Sequence, residues 1–237
     1  MVDIHSHILP MVDDGAESWE VALAMVTMAG RDGVTHMVAT PHANYEYAYE
    51  RESHAALLEE LQNRVGKDVQ LILGCDFHFS YDNFEDALQH PHRYTIGNTR
   101  YLLIELSDFS VPPQISNMLF SLTSNRLIPI LTHPERNPLL QRAPERVSEW
   151  VDMGMLVQLT ANAFTGKWGK GVQKLANWYA ENQLVHVIAS DAHSASRRNP
   201  VLSEARRMVA KTYSEEFAKR LFETNPRAII NDERVLG

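Results

Sequence analysis

The sequence has 237 residues, 44% hydrophobic and 22% charged, enough apolar content to bury a full core as one domain over residues 1–237. Its 22 basic and 30 acidic side chains leave a net charge of −8, which argues against a nucleic-acid partner, because phosphate contacts need Lys and Arg gathered on one face. A single cysteine, Cys75, excludes an internal disulfide; the opening Met-Val-Asp-Ile-His has no leader pattern and no run is long enough to span a bilayer, so a cytoplasmic protein without membrane insertion is expected. The unusual count is histidine, at 11.

Short β-type runs alternate with helical patterns along the chain. Val2–His7 reads as the first strand, and Ser18 caps a helix with Val21, Ala24, Met25 and Met28 at helical spacing before Gly33 stops it. Val34–Thr40 is a second strand, followed by a helix over Ser53–Val65, a strand over Val69–Asp76 and a shorter helix near Asn83–Gln89. Strand Tyr101–Leu106, helix Pro112–Ser124, strand Leu127–Thr132, helix Pro144–Met153 and strand Met155–Thr160 come next. A helix marked by Val172, Leu175, Ala176 and Tyr179 precedes strand Val185–Ser190, and helices near Leu202–Lys211 and Glu215–Phe222 end the alternation. Seven strands, each followed by a helix, predict parallel pairing, because a strand returning in the same direction needs a crossover of this length.

Periodicity alone leaves an open doubly wound sheet and a (β/α) barrel equally available, but the polar residues discriminate. Almost every predicted strand ends in a potential metal ligand: His5 and His7, then His42, Asp76, Glu105, His133, and finally Asp191 with His193. In a barrel of parallel strands all carboxyl ends share one face, so these residues converge; an open sheet would scatter them, and it lacks its glycine-rich dinucleotide fingerprint here. His5-Ser6-His7 places two imidazoles on one side of an extended chain, and Asp191-Ala192-His193 repeats that spacing. One such pair is an ordinary polar strand end; eight groups on one rim are not. Their mixed nitrogen and oxygen donors suit manganese, iron, zinc or magnesium, and they are too many for one ion, so two or three divalent ions sharing carboxylates are expected.

Asp3-Ile4-His5-Ser6-His7-Ile8-Leu9-Pro10 with Val12-Asp13-Asp14-Gly15 resembles the opening of the PHP-type (polymerase and histidinol phosphatase) tyrosine-protein phosphatases encoded with bacterial capsule and exopolysaccharide genes, the CpsB/CapC/YwqE group. Ala39-Thr40-Pro41-His42, Arg100 to Glu105, Thr132 to Arg136, His186 to His193 and Asn225-Pro226-Arg227 stand in the family's order along the whole chain. The resemblance implies a distorted seven-stranded TIM-like barrel of α/β class with three metal ions on its rim, manganese first among them, with iron, zinc, magnesium or cobalt as alternatives. It implies one ion on His5, His7 and Asp191, a second on Glu105 and His133 with Asp76 bridging the two, and a third on Asp14, His42 and His193. The bridge is commonly glutamate in that family, and aspartate here is one methylene shorter. His78, two residues on, reads as an ordinary loop histidine.

Clustered ions suit phosphate ester hydrolysis because they activate water and clamp the attacking and leaving oxygens. Arg136 and Arg197, on loops leaving the rim, are the candidate guanidiniums for the phosphate oxygens, with Arg198 able to replace Arg197. A cysteine-dependent phosphatase would need an arginine six residues after the thiol, where Tyr81 stands, so Cys75 is expected to be a packing residue. Tyr45, Tyr47 and Tyr49 after His42 carry no assigned role. The resemblance implies hydrolysis of protein phosphotyrosine, with the tail of a bacterial tyrosine kinase controlling polysaccharide synthesis and export as substrate partner. A phosphatase of a small monoester such as histidinol phosphate, and a non-catalytic metal-binding regulator of the kinase, are the competing readings; oligomeric state is not legible.

Overall fold

The computed structural model describes residues 1–235. Strand β1 (Val2–Ser6) leads through a long loop to helix α1 (Trp19–Arg31), which Ser18 caps by accepting the Val21 N–H at 3.3 Å. The helix buries Ala22, Met25, Val26 and Ala29, so its inward stripe is rotated from the predicted one and Ala24 is exposed. Strands β2 (His36–Ala39) and β3 (His42–Ala43) precede α2 (Arg51–Val65); β4 (Gln70–Leu73) and β5 (Asp76–His78) precede α3 (Tyr81–Gln89), capped by Ser80. Then follow β6 (Tyr101–Glu105), α4 (Ile115–Ser124), β7 (Ile128–Thr132), α5 (Pro138–Arg142), α6 (Arg146–Asp152), β8 (Leu156–Thr160), α7 (Ala161–Phe164), α8 (Lys170–Glu181) and β9 (Val187–Ala189). Helices α9 (Ser203–Thr212) and α10 (Glu215–Lys219), a π-helical turn over Arg220–Thr224 and α11 (Asn225–Ile230) complete it.

All ladders are parallel, as the alternation predicts, but the strands form two sheets, β1-β2-β4 and β3-β5-β6-β7-β8-β9, in place of seven continuous strands. The predicted second and third strands each break. Pro41 has no N–H for a ladder, and Gly74-Cys75 interrupts the next, so both chain segments start in the first sheet and finish in the second. The sheets share one interior: Val2, Ile4 and Val38 of the first pack with Tyr101, Leu103, Ile130, Val187 and Ala189 of the second, and Ile229 of α11 joins them. Backbone bonds from His7 N–H to Ala192 O (2.8 Å) and Asp191 N–H to His5 O (2.9 Å) tie β1 to the chain leaving β9. Asp3 adds to that seam by accepting the Ser190 N–H at 3.0 Å and its hydroxyl at 2.6 Å. Outside the sheets, the helices close over a larger apolar layer that includes Cys75, Phe77, Trp150 and Tyr179. Among the described residues no helix is long and apolar enough to cross a membrane.

Candidate metal centre

Where β1 runs beside β2, Asp3 is opposite Met37 but Ser6 is opposite Ala39, so β1 carries one extra residue. Such a bulge re-aims side chains. Ile4 packs inside, and His5 reaches across to β8, where its Nδ1 lies 2.9 Å from Gln158 Oε1. His7 follows the strand, with its Nδ1 2.7 Å from Asp13 Oδ2. Each imidazole therefore gives its Nδ1–H to a fixed oxygen and turns the Nε2 lone pair to the centre, the two Nε2 atoms lying 3.3 Å apart. His193 is held in the same way, its Nδ1 3.0 Å from the Asp191 carbonyl.

His42 opens β3 and Asp76 opens β5, directly opposite each other in the ladder. Asp76 is fully buried and neither carboxylate oxygen has a hydrogen-bond partner. Its nearest neighbours are His42 Nδ1 at 3.3 Å and His5 Nε2 at 3.4 Å. Asp14 Oδ1 lies 3.4 Å from His42 Nε2 and 3.3 Å from His193 Nε2, Glu105 Oε1 is 3.6 Å from His133 Nε2, and Asp191 Oδ1 is 3.6 Å from the Nε2 of both His5 and His7. These gaps are long for hydrogen bonds. Donors each about 2.1 Å from a shared ion stand roughly 3.0–3.5 Å apart, close to the 3.3–3.6 Å seen. Three overlapping groups each bring one donor atom per residue within 4.8 Å of the others: His7 with Asp14, His42 and His193; His5 with His7 and Asp76; and His42 with Asp76 and Glu105.

The electrostatics fit cations. Burial disfavours a charged His5, yet Asp76 and Asp191 outweigh it and raise its pKa to about 9; His42 rises to about 10 against burial through Asp14, Asp76 and Glu105. Burial and the nearby Asp76 charge push Glu105 up to about 8. Burial, with His193 and Arg136 respectively, drops His7 to about 4 and His133 to about 3, leaving neutral imidazoles of the kind that ligate metals. His133 (φ +34°) and Asp191 (φ +51°) also sit in the left-handed region that β-carbon residues avoid, a strain characteristic of functional positions.

Two guanidiniums converge on Asp191. Arg136 Nη1 donates to its Oδ2, and Arg198 Nη2 donates to the same oxygen at 2.7 Å. Both stack over the Trp168 indole, at 4.6 and 5.8 Å from the ring centroid.

The chain matches the family described as "Capsular polysaccharide synthesis, CpsB/CapC" over residues 1–231. The chain belongs to the CpsB/CapC family. It is 34% identical to tyrosine-protein phosphatase CpsB of Streptococcus pneumoniae, covering 99% of this chain and 100% of that one. It is 30% identical to tyrosine-protein phosphatase YwqE of Bacillus subtilis, covering 99% and 93%. Among solved structures it resembles one of YwqE and CpsB, described as "unique metal-dependent tyrosine phosphatases", with a TM-score of 0.95, 28% identity and coverage of 100% and 96%. A β-aspartyl dipeptidase of Fervidobacterium islandicum, at 16% identity and a TM-score of 0.59, shares the fold only.

In this CpsB/CapC chain the nine residues singled out from sequence, His5, His7, Asp14, His42, Asp76, Glu105, His133, Asp191 and His193, lie at one end of the sheets in mutual contact. Arg197 does not join them. It is exposed and makes no described bond to the cluster, whereas Arg198 does, because the Arg198 carbonyl accepts the His193 and Ser194 N–H groups (2.8 and 3.1 Å) and this turn brings its side chain onto Asp191. His78 is the last residue of β5, not a loop residue, and belongs to none of the three groups. The sequence reading passed over Asp13, Gln158, Asp3 and Trp168. Gln158, a polar residue inside the apolar run Leu-Val-Gln-Leu-Thr, carried the one usable signal.

Proposed function

We propose that this protein is a divalent-metal-dependent phosphoric monoester hydrolase that removes phosphate from protein phosphotyrosine. The observation that carries the reading is Asp76, a buried carboxylate with no hydrogen-bond partner, held 3.3–3.4 Å from two imidazoles. A group so placed costs several kcal/mol unless a cation completes it. The donors fit two or three divalent ions, manganese foremost, with Asp14, His42 and His193 on one and His5, His7, Asp76, Glu105, His133 and Asp191 shared by the others. Divalent ions, when bound, supply a nucleophile from water near neutral pH and offset the phosphate charge. The chain's own part is to bind and orient the ester. Arg136 and Arg198 keep N–H donors beyond those spent on Asp191, and these take the phosphate oxygens as charge develops on them. A phenolate leaves without strong acid help, so no side chain is assigned as proton donor.

The named relatives support phosphotyrosine as substrate, and we extend the proposal to a bacterial tyrosine kinase of capsular or exopolysaccharide export as the protein dephosphorylated. Both sheets with their common interior are proposed to act as one distorted barrel in a single domain. A cytoplasmic location suits the free, buried Cys75 thiol. The test is phosphate release from a phosphotyrosine peptide by purified protein with manganese and with a chelator. Release that the chelator abolishes is expected; metal-replete protein that releases none overturns the reading.

A further inference from the structure

Beside the centre lies a cavity of about 300 Å³ lined by Asn162, Lys167, Trp168, Ser194, Arg197 and Arg198, three cations and no acid on a chain of net charge −8. Its wall is shared. Arg198 and Ser194 also line a cavity of about 520 Å³ that opens onto Asp14 and His193 and carries Glu17. The same Arg198 that donates to Asp191 thus lines both the cationic recess and the cavity that carries Asp14 and His193. Trp168 lines the recess and stacks against both Arg136 and Arg198, so the recess adjoins the two guanidiniums. Trp168 Nε1 and Arg198 Nε are buried donors with no acceptor in the described structure. Lys167 is half-exposed and pairs with Glu204 at 3.0 Å, an ion pair that water screens and that a better-placed anion can replace. Arg197 makes no described ion pair.

We infer that this recess is a specificity subsite that binds the carboxylate of an Asp or Glu flanking the phosphotyrosine in the substrate polypeptide. The inference rests on the phosphotyrosine reading above and deepens it. It gives Lys167 and Arg197 a role in choosing the substrate, not in the chemistry, and predicts an orientation, with the acidic neighbour lying on the Trp168 side and away from Glu17.

The experiment compares free phosphotyrosine with three phosphotyrosine peptides that differ only in flanking Glu, Ala or Lys, using manganese-loaded wild-type protein and the Lys167→Gln and Arg197→Gln variants. The Glu peptide should show a KM roughly threefold to tenfold below that of the Ala peptide, as expected for a partly screened ion pair, with kcat little changed. Each variant should lose most of that preference while hydrolysing free phosphotyrosine like wild type, which also shows that it folds. Equal KM values for the Glu, Ala and Lys peptides overturn the subsite and leave the phosphatase standing. Failure to hydrolyse free phosphotyrosine and all three peptides overturns the phosphatase reading and the subsite together.

Discussion

Asp13 decides which nitrogen of His7 faces the cluster. Its Oδ2 takes the His7 Nδ1–H at 2.7 Å, and it is itself held by the N–H groups of Gly15 and His42 at 3.0 and 3.2 Å. Oxygen partners of this kind orient a ligating imidazole and raise its basicity, and losing one typically weakens metal binding about 10- to 100-fold. Asp13→Asn should therefore weaken manganese binding by about that factor, measured by calorimetric titration, with circular dichroism unchanged. Cys75 makes the opposite case. It is fully buried in the apolar layer, and burial pushes its thiol well above the ordinary range, so it cannot supply a thiolate. Cys75→Ser should keep near-normal turnover at a stability cost of about 1–3 kcal/mol, checked by denaturant titration, and iodoacetamide should leave the native enzyme active.

The loop between β1 and α1 folds back onto the strand it leaves. A β-carbon at Gly15 would stand 2.2 Å from His7 O and 2.5 Å from His7 Cβ, so only glycine lets the Asp13-Asp14 turn approach. Gly15→Ala should displace both Asp13 and His7 and lower phosphotyrosine turnover by more than about tenfold while the helical signal persists. This element was half legible in the sequence. Val-Asp-Asp-Gly stood out as a motif and yielded Asp14, but Asp13 acts through His7 across a turn that no strand or helix period encodes. Parallel alternation was readable because each strand is a compact apolar run between helical patterns. The breaks at Pro41 and Gly74 were not, since Ile96, Val38 and Thr40 crowding around Gly74 is tertiary packing. That Arg198 and not Arg197 reaches Asp191 was illegible for the same reason: adjacent residues in a loop have no periodicity to say which one turns inward. A second element-scale test lies at the other end of the sheets. His186 Nδ1 accepts the Val157 N–H at 3.1 Å while its carbonyl accepts from Asn225 at 2.8 Å, linking the chain entering β9 to β8 and α11. Burial, with Arg220, holds its pKa down at about 4. Its neutral form is present in both folded and unfolded chains above pH 6.5; below that only the unfolded chain gains the proton, so stability falls from about pH 6.5 towards 4, by about 3 kcal/mol in all. His186→Asn, which keeps an acceptor but cannot titrate, should flatten that part of the pH profile of thermal melting.

The metal groups draw on both sheets. His5 belongs to the first, while Asp76, His42 and Glu105 belong to the second, and Asp191 and His193 follow its last strand. The proposed ion on His5, His7 and Asp76 would therefore tie the seam where the two ladders lack continuous backbone pairing. It would also remove the cost of burying Asp76 without a hydrogen-bond partner and of crowding Glu105 against it. Binding to the folded chain alone stabilises by about 2.7 kcal/mol when free metal is a hundredfold above its Kd, because the unfolded chain does not assemble the donors. For a chain of this size each kcal/mol moves the melting midpoint by about 2–4 °C, so manganese should raise Tm by about 5–11 °C over chelator-treated protein, saturating with concentration. The tie makes a sharper demand than stabilisation as such. Asp76→Ala removes the only carboxylate common to two of the three groups of the described residues, so it should lose most of this shift, whereas Asp14→Ala, which leaves His5, His7 and Asp76 in place, should keep the larger part of it. Equal losses in the two variants would mean that the seam is held by the protein alone.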